Sequence, residues 1–392
     1  MRPVFICHHT EQEARVREFV NELRLRGIAP WVAQDGGFMV GDDQESEAQR
    51  VIRETCGGLL FYFTPGAIER DFIRRVELKE GLRRLRRERW LRLVGRAPVE
   101  RFFLACVADG VGFGEIRAAG SQHIGHDLAR YAGVEIGNQD PPSYAEAARR
   151  VLQQHLRHRA PVRDTVSFQF STRDRFEDDP GDLLRLDAGP LLATDHSTAS
   201  WSRVAGALAD IKTELSRWGR PALQVHGSRH LTAAFLLGTT FRRSSGFPLS
   251  VRVRDGWWET NGPLEPAELT DCLEQGDDQD TLAVQIAATD KDPTAAVDLL
   301  LANMQRRPRV LRISTAGHGH LTAAQGRHIA ASVRARVVAA TTVRVPQRLL
   351  LFLSTPIGLA TQIGFEWNGL PPTVLHEYVA PHYRESLHSR DA

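Results

Sequence analysis

Cysteine is scarce in this 392-residue chain, with four in all, and none stands in a CxxC pair. Cys7, Cys56, Cys106 and Cys272 are too far apart for a zinc ribbon or a redox motif, so buried, reduced thiols are expected. No apolar run approaches the roughly 18 residues needed to cross a membrane. The opening MRPVFICHHTEQ has one arginine and a short apolar run, too little for a secretory leader, so a soluble cytoplasmic protein is expected. Charge of one sign is missing too. Fifty basic against 48 acidic residues leave a net +2, too even for a dedicated duplex-binding protein. What remains is a 42% hydrophobic, 25% charged globular chain, long enough for two or three domains.

The first 157 residues alternate short apolar runs with amphipathic segments, the rhythm of a parallel α/β sheet. Strands are predicted at Val4–Cys7, Ala29–Val32, Leu59–Phe63 and Phe102–Val107. Helices are predicted at Glu11–Arg26, which ends before Gly27, and at Gln44–Thr55, Ala67–Arg89 and Tyr144–Leu156. A polar joint at 157–164 separates this part from residues 165–392.

The second part holds a near-repeat. Leu223 to Gly238 and Leu349 to Gly364 each read as strand, tight turn and helix, with the closing glycines 126 residues apart. Each copy follows an amphipathic helix (200–218 and 323–339) and precedes a strand-like run (248–254 and 373–378). Two such halves imply pseudo-twofold symmetry. Ligand crevices in such sheets lie beyond the carboxyl ends of the strands. That rule sets His226–His230 and Ser354–Pro356 on opposite lips of one pocket.

The amino-terminal residues Phe5-Ile6-Cys7-His8-His9, Leu23 to Gly27, Trp31, Gly41-Asp42 and Asp71 to Leu78 resemble the motifs of TIR domains over nearly their whole length. The resemblance implies a flavodoxin-like fold and NAD cleavage, with Glu77 on the catalytic glutamate. The register that puts Glu80 there stays open. Histidines replace the usual Tyr-Ser, and Asp71 and Ile73 the usual Ser and Trp. NAD contacts are expected from Phe5, His8, His9, Thr10, Trp31, Gly41, Asp42 and Ile73. NAD is then the substrate, and no cofactor is expected. Nicotinamide leaves as a neutral group, so the oxocarbenium-like ribose is what needs stabilising, which one carboxylate can do. The loop from Gln34 to Asp43 resembles the segment by which TIR domains touch one another.

From about Val166 to Tyr383 the chain resembles SAVED domains, the paired CARF-like sensors, chiefly through Leu351 to Gly364, Trp367-Asn368, Val374 to Tyr378 and Tyr383. The pairing implies an antiphage effector that binds a cyclic oligonucleotide, cyclic tri-adenylate as the best single choice. It would then self-associate and hydrolyse NAD to nicotinamide and ADP-ribose. A non-enzymatic TIR scaffold governed by a nucleotide is the alternative. Expected ligand contacts are His226, Ser228, Arg229, Arg252, Arg254, Trp257, Ser354, Thr355, Pro356, Tyr378 and Tyr383, the types that meet phosphates and base faces. No metal is expected, since His8-His9 and His318-Gly-His320 lack further ligands. The arginine-dense stretch Arg83–Arg101 is read as a solvated helix and loop, with nucleic-acid binding as the rival.

Overall fold

The computed structural model describes residues 2–33, 43–65, 67, 70, 73–96, 101–136, 143–158, 164–173, 181–254, 256–315, 321–342 and 344–389. Gly41, Asp42, Asp71, most of the Gln34–Asp43 loop and the His318–His320 segment lie outside them. The chain divides into two compact units, 1–163 with 178–186 and 164–177 with 187–392.

In the first unit, strands β1 (Val4–Cys7), β2 (Pro30–Trp31), β3 (Gly58–Phe63), β4 (Phe103–Asp109) and β5 (Ala132–Ile136) form one sheet in the order β2-β1-β3-β4-β5. Every pairing is parallel. This is the flavodoxin-like order, whose switch point lies between β1 and β3. All six residues of β3 are buried, as a central parallel strand covered on both faces requires. Each large side chain there, such as Phe61, contributes about 1.5–3 kcal/mol by burial.

Helix α1 (Glu13–Leu25) buries Val16, Phe19, Val20 and Leu23 on one face. Gly27 follows at φ +78°, the left-handed turn that lets a helix stop. Helix α2 (Gln44–Arg50) runs on into a π-helical turn at Val51–Thr55. A second π-helical stretch, Ile73–Leu78, leads into α3 (Lys79–Leu93). Helices α4 (Phe113–Ile124) and α5 (Tyr144–His158) complete the unit.

The second unit begins with β6 (Thr165–Ser171); β7 (Leu184–Asp187) straddles the division. Then come α6 (Gly189–Thr194), α7 (Thr198–Arg217), β8 (Ala222–His226), α8 (Leu231–Thr240), β9 (Leu249–Val253) and β10 (Gly256–Glu259). Its later half comprises β11 (Leu269–Glu274), β12 (Asp278–Ala287), α9 (Thr294–Ala302), β13 (Pro308–Thr315), α10 (Ala323–Thr342), β14 (Arg348–Ser354), α11 (Ile357–Glu366), β15 (Thr373–Val379) and β16 (His382–Ser389).

The sheet order β6-β8-β9-β10 in the first half is matched by β12-β14-β15-β16 in the second. In both, the first three strands run parallel and the last turns back antiparallel. The equivalent helices α8 and α11 pack on each other through their glycines. A Cβ on Gly238 would stand 2.1 Å from the Thr361 carbonyl oxygen, and one on Gly364 would stand 2.2 Å from that of Phe235. Gly364 is the repeat partner of Gly238, and Thr361 that of Phe235. The two contacts therefore exchange under a twofold axis, as an isologous interface demands. The symmetry read from glycine spacing is present in the packing.

Cys7, Cys56 and Cys106 are buried and free, but Cys272 is exposed, contrary to expectation. It sits on β11, a sheet-edge strand with largely exposed side chains. Among the described residues no helix is long and apolar enough to cross a membrane, and no acidic, His or Cys cluster could hold a metal.

Candidate functional site

Two places gather chemistry, one in each unit. In the first unit it is the carboxyl edge of the sheet at the β1/β3 switch point. Glu77 lies in the π-helical stretch before α3, a distortion that is frequent at functional sites. Its side chain is turned inward and only 7% exposed. It accepts a hydrogen bond from the Cys7 thiol at the end of β1. The other oxygen, Oε2, has no partner among the described residues. Burial pushes the Glu77 carboxyl up to about 7, the thiol contact opposing only part of that rise. Burial first, and then Glu77 itself, raise the Cys7 thiol well above its ordinary range. At the end of β3, across the switch point, the hydroxyl of Thr64 is likewise buried and without a partner. Thr64 had no sequence signal beyond its place one residue after a buried strand.

Glu80 is different. It is buried but fully compensated, by Arg53 at 3.1 Å and Arg83 at 2.7 Å. A carboxylate held by two guanidinium groups is committed to structure. Glu80→Gln should therefore cost about 1–2 kcal/mol in urea unfolding. No measurable loss would show that the two guanidinium groups do not hold this carboxylate.

The remaining NAD candidates divide. His8 and His9 follow β1 at the switch point, with the His9 Nδ1 accepting the Glu11 N–H at 3.3 Å. Thr10 is in place, but its side chain is not among those described. Trp31 is half-buried and stacks on Phe5, ring centroids 4.7 Å apart. Phe5 itself is in the core and reaches no surface; it backs Trp31. Ile73 is also a core residue. The arginine-dense stretch is partly structural: Arg84 is buried, donates to the carbonyls of Ile52 and Cys56, and lies 4.4 Å over the Phe102 ring.

In the second unit a cavity of about 350 Å³ opens beyond the carboxyl ends of β6, β12, β14 and β15. That is within the range of small-molecule pockets. Ser354, Thr355, Tyr378 and Tyr383 line it as expected, with Arg173, Leu231, Thr289, Lys291, Asp292 and Glu377. The Ser354 hydroxyl is engaged, 2.8 Å from the Thr289 hydroxyl and 2.8 Å from the Lys291 carbonyl, so it holds the loop after β12. Thr355 is buried and its hydroxyl has no partner. Tyr378 is half exposed and meets Tyr383 edge-on at 5.3 Å, directly across the β15–β16 pair. Burial raises the Tyr383 phenol above its usual range.

The first-half turn does not line this cavity; Leu231, just after it, does. The turn folds inward instead. Gly227 takes φ +111° and comes so close to Phe170 that a Cβ would lie 2.6 Å from its carbonyl oxygen. The Ser228 carbonyl accepts the Thr172 N–H at 2.9 Å. His230 pairs with the Thr172 hydroxyl at 2.9 Å, and burial takes its imidazole down to about 4. Arg229 is 1% exposed and aimed at the Arg252 carbonyl, 3.4 Å away, with Nε and Nη1 unpartnered. Burial lowers its guanidinium to about 10. Arg252 lies 5.6 Å over the exposed Trp257 ring, while Arg254 is exposed. His226, Ser228, Arg229, Arg252, Arg254 and Trp257 are thus not brought to this cavity. Pro356 is the residue before α11, next to Thr355, and makes no side-chain cap.

Fold and cavity together define a paired α/β domain with a cavity at its strand ends. Residues 204–388 match the family model for SAVED, the SMODS-associated sensor domain fused to various effectors. The second unit thus carries a SAVED domain. Among solved structures, the chain is similar to the Acinetobacter baumannii Cap4 SAVED/CARF-domain containing receptor with the cyclic trinucleotide 2'3'3'-cAAA (TM-score 0.50, 13% identity, 79% of this chain and 85% of that one). The same receptor with 3'3'3'-cAAA matches at TM-score 0.48, 14% identity, over 78% and 84% of the two chains. The Moraxella osloensis Cap4 receptor matches at 0.46, 12% identity, over 99% and 87%. At 13% identity and a TM-score of 0.50 the first of these likenesses speaks to fold alone. No curated protein matches in sequence.

Proposed function

We propose that this protein is an antiphage effector of the cyclic-oligonucleotide type. Its SAVED domain takes a cyclic oligonucleotide, cyclic tri-adenylate by preference, and its first unit is a TIR-type NAD glycohydrolase that ligand-driven self-association switches on. The observation that carries this reading is the cavity at the strand ends of the SAVED domain, with cationic, hydroxyl and aromatic groups suited to phosphates and bases. The Cap4 receptor with a bound cyclic trinucleotide, whose fold this chain shares, agrees with it. In the first unit the reading is supported by a buried carboxyl with a free oxygen at the sheet's switch point.

In the working reaction the ionised Glu77 would face the ribose as positive charge develops at its anomeric carbon, while water adds and nicotinamide departs. Neighbouring copies would complete the site, so resting protein should be monomeric and nearly inactive. The test is full-length protein with NAD and a panel of cyclic di- and trinucleotides, following nicotinamide release and light scattering together. Release and growth in particle size with cyclic tri-adenylate are expected. Ligand-driven assembly without nicotinamide release under any ligand would identify a scaffold instead.

A further inference from the structure

The two halves of the SAVED domain are alike in fold but not in how they leave their helix N-termini. Both α8 and α11 follow a strand-end turn and begin on a residue in extended conformation, His230 and Pro356, neither of which caps the helix with its side chain. At α8 the position is filled from the other half: the Glu377 carboxylate, on β15, accepts the Thr232 N–H at 2.9 Å. The Thr232 hydroxyl meets that of Ser386 at 2.9 Å, which fixes the β15–β16 hairpin against the same helix start. At α11 no such group is present among the described residues. There the preceding Thr355 lines the cavity, 95% buried by its 5% exposure, with a hydroxyl that has no partner.

Uncapped helix amides favour an anion, and a buried hydroxyl without a partner marks where one is missing. A carboxylate already seated on helix amides does the reverse and repels a second anion. Arg173 and Lys291 line the same cavity and supply positive charge. Burial raises the Glu377 carboxyl above its ordinary range, while the Thr232 hydrogen bonds and then the Arg173 charge oppose that rise and favour the ionised form.

We propose that the cavity seats one phosphate of its ligand at the α11 N-terminus, on the Thr355 hydroxyl, and that Glu377 occupies the matching position at α8. Glu377 is then a specificity-determining residue. A cyclic dinucleotide has two phosphates related by a twofold axis, and seating one at α11 brings the other toward the Glu377 carboxylate. A three-phosphate ring has no such twofold-opposed pair and escapes that conflict. This inference deepens the proposed function by naming how the pocket selects ring size, and it rests on that reading for the nature of the ligand.

The experiment uses full-length protein, with cyclic tri-adenylate, cyclic di-adenylate and inorganic pyrophosphate as probes, by calorimetric titration. Thr355→Val, which keeps shape and removes the hydroxyl, should weaken all three by about tenfold or more, the worth of one hydrogen bond to a charged group; Thr355→Ser should restore binding. Glu377→Gln retains an acceptor for Thr232 and removes the charge. It should strengthen cyclic di-adenylate about tenfold or more and cyclic tri-adenylate clearly less. Melting curves identify any variant whose fold is lost, and Thr355→Ala, which also removes the hydroxyl, then serves in place of Thr355→Val. Unchanged binding in Thr355→Val, or Glu377→Gln weakening both rings equally, overturns the proposal. If pyrophosphate binds in a Thr355-dependent way and neither ring does, the phosphate position stands and the cyclic-oligonucleotide reading falls. If no probe binds, both fall.

Discussion

Glu77→Gln should lower ligand-stimulated nicotinamide release by two to three orders of magnitude, the usual loss on removing a charge aimed at a developing transition-state charge. Ligand binding and assembly should stay intact, because Glu77 belongs to the other unit from the cavity. Full-rate hydrolysis by the assembled variant would refute the assignment. A second readout needs no activity. The folded carboxyl titrates near 7 because burial penalises its charged form. An ordinary glutamate in the unfolded chain titrates near 4.3. The folded state therefore holds the proton more tightly, and the stability this confers is complete below the unfolded value. It declines as pH rises through the window to about 7 and is gone above it. The loss is about 4 kcal/mol, which a neutral glutamine does not suffer. Glu77→Gln should match the parent at pH 4.5 and exceed it in thermal stability at pH 8. An equal gap at both pH values would show that the carboxyl is not buried as described. In the proposed reaction the ionised form faces the ribose, so turnover by the parent should rise across the same window.

Gly364→Ala should be among the most damaging single-methyl changes in the chain, costing about 3 kcal/mol or more, at or above the upper end of ordinary overpacking. Its Cβ would sit 2.2 Å from a backbone carbonyl oxygen, which cannot rotate away as a side chain can. Gly238→Ala should cost as much for the same reason. Because both strain one helix–helix contact, the double variant should lose less than the sum of the singles. Chemical denaturation measures all three. A loss under 1 kcal/mol in either single variant would mean that α8 and α11 are not in contact through these glycines.

Those glycines also show what sequence can disclose. Their spacing pointed to a repeated half with twofold symmetry, and glycine carried the signal because no other residue tolerates backbone at that distance. Strands such as Val4–Cys7 and Leu59–Phe63 were legible because a doubly covered parallel strand is continuously apolar. Helix α4 and strand β5 were not. Helix α4 buries only Ile116 and Gly120, which leaves little periodicity to detect, and β5 is a short edge strand.

The site was half legible for a related reason. Ser354 and Thr355 belong to the copy of the turn that faces the cavity, and Tyr378 and Tyr383 to strands β15 and β16 of the same half. Arg229 and His230 belong to the copy that folds inward, and the residue types of the two copies do not say which is which. Arg173, Lys291 and Glu377 escaped notice because β6 and β12, whose ends deliver the first two, were not delimited from the sequence, and because Glu377 sits in a strand where a buried carboxylate is unusual.

The route of the chain between its two units has one more consequence. Residues 178–186 return to the first unit after β6 has begun the second, and they bring Leu183, Leu184 and Leu186, all buried. The polypeptide passes the division three times rather than once. Neither unit can be released whole by a single cut, and shortening the chain at residue 163 would strip a leucine-rich patch of its cover. An exchange of either unit by recombination therefore needs more than one crossover in the chain.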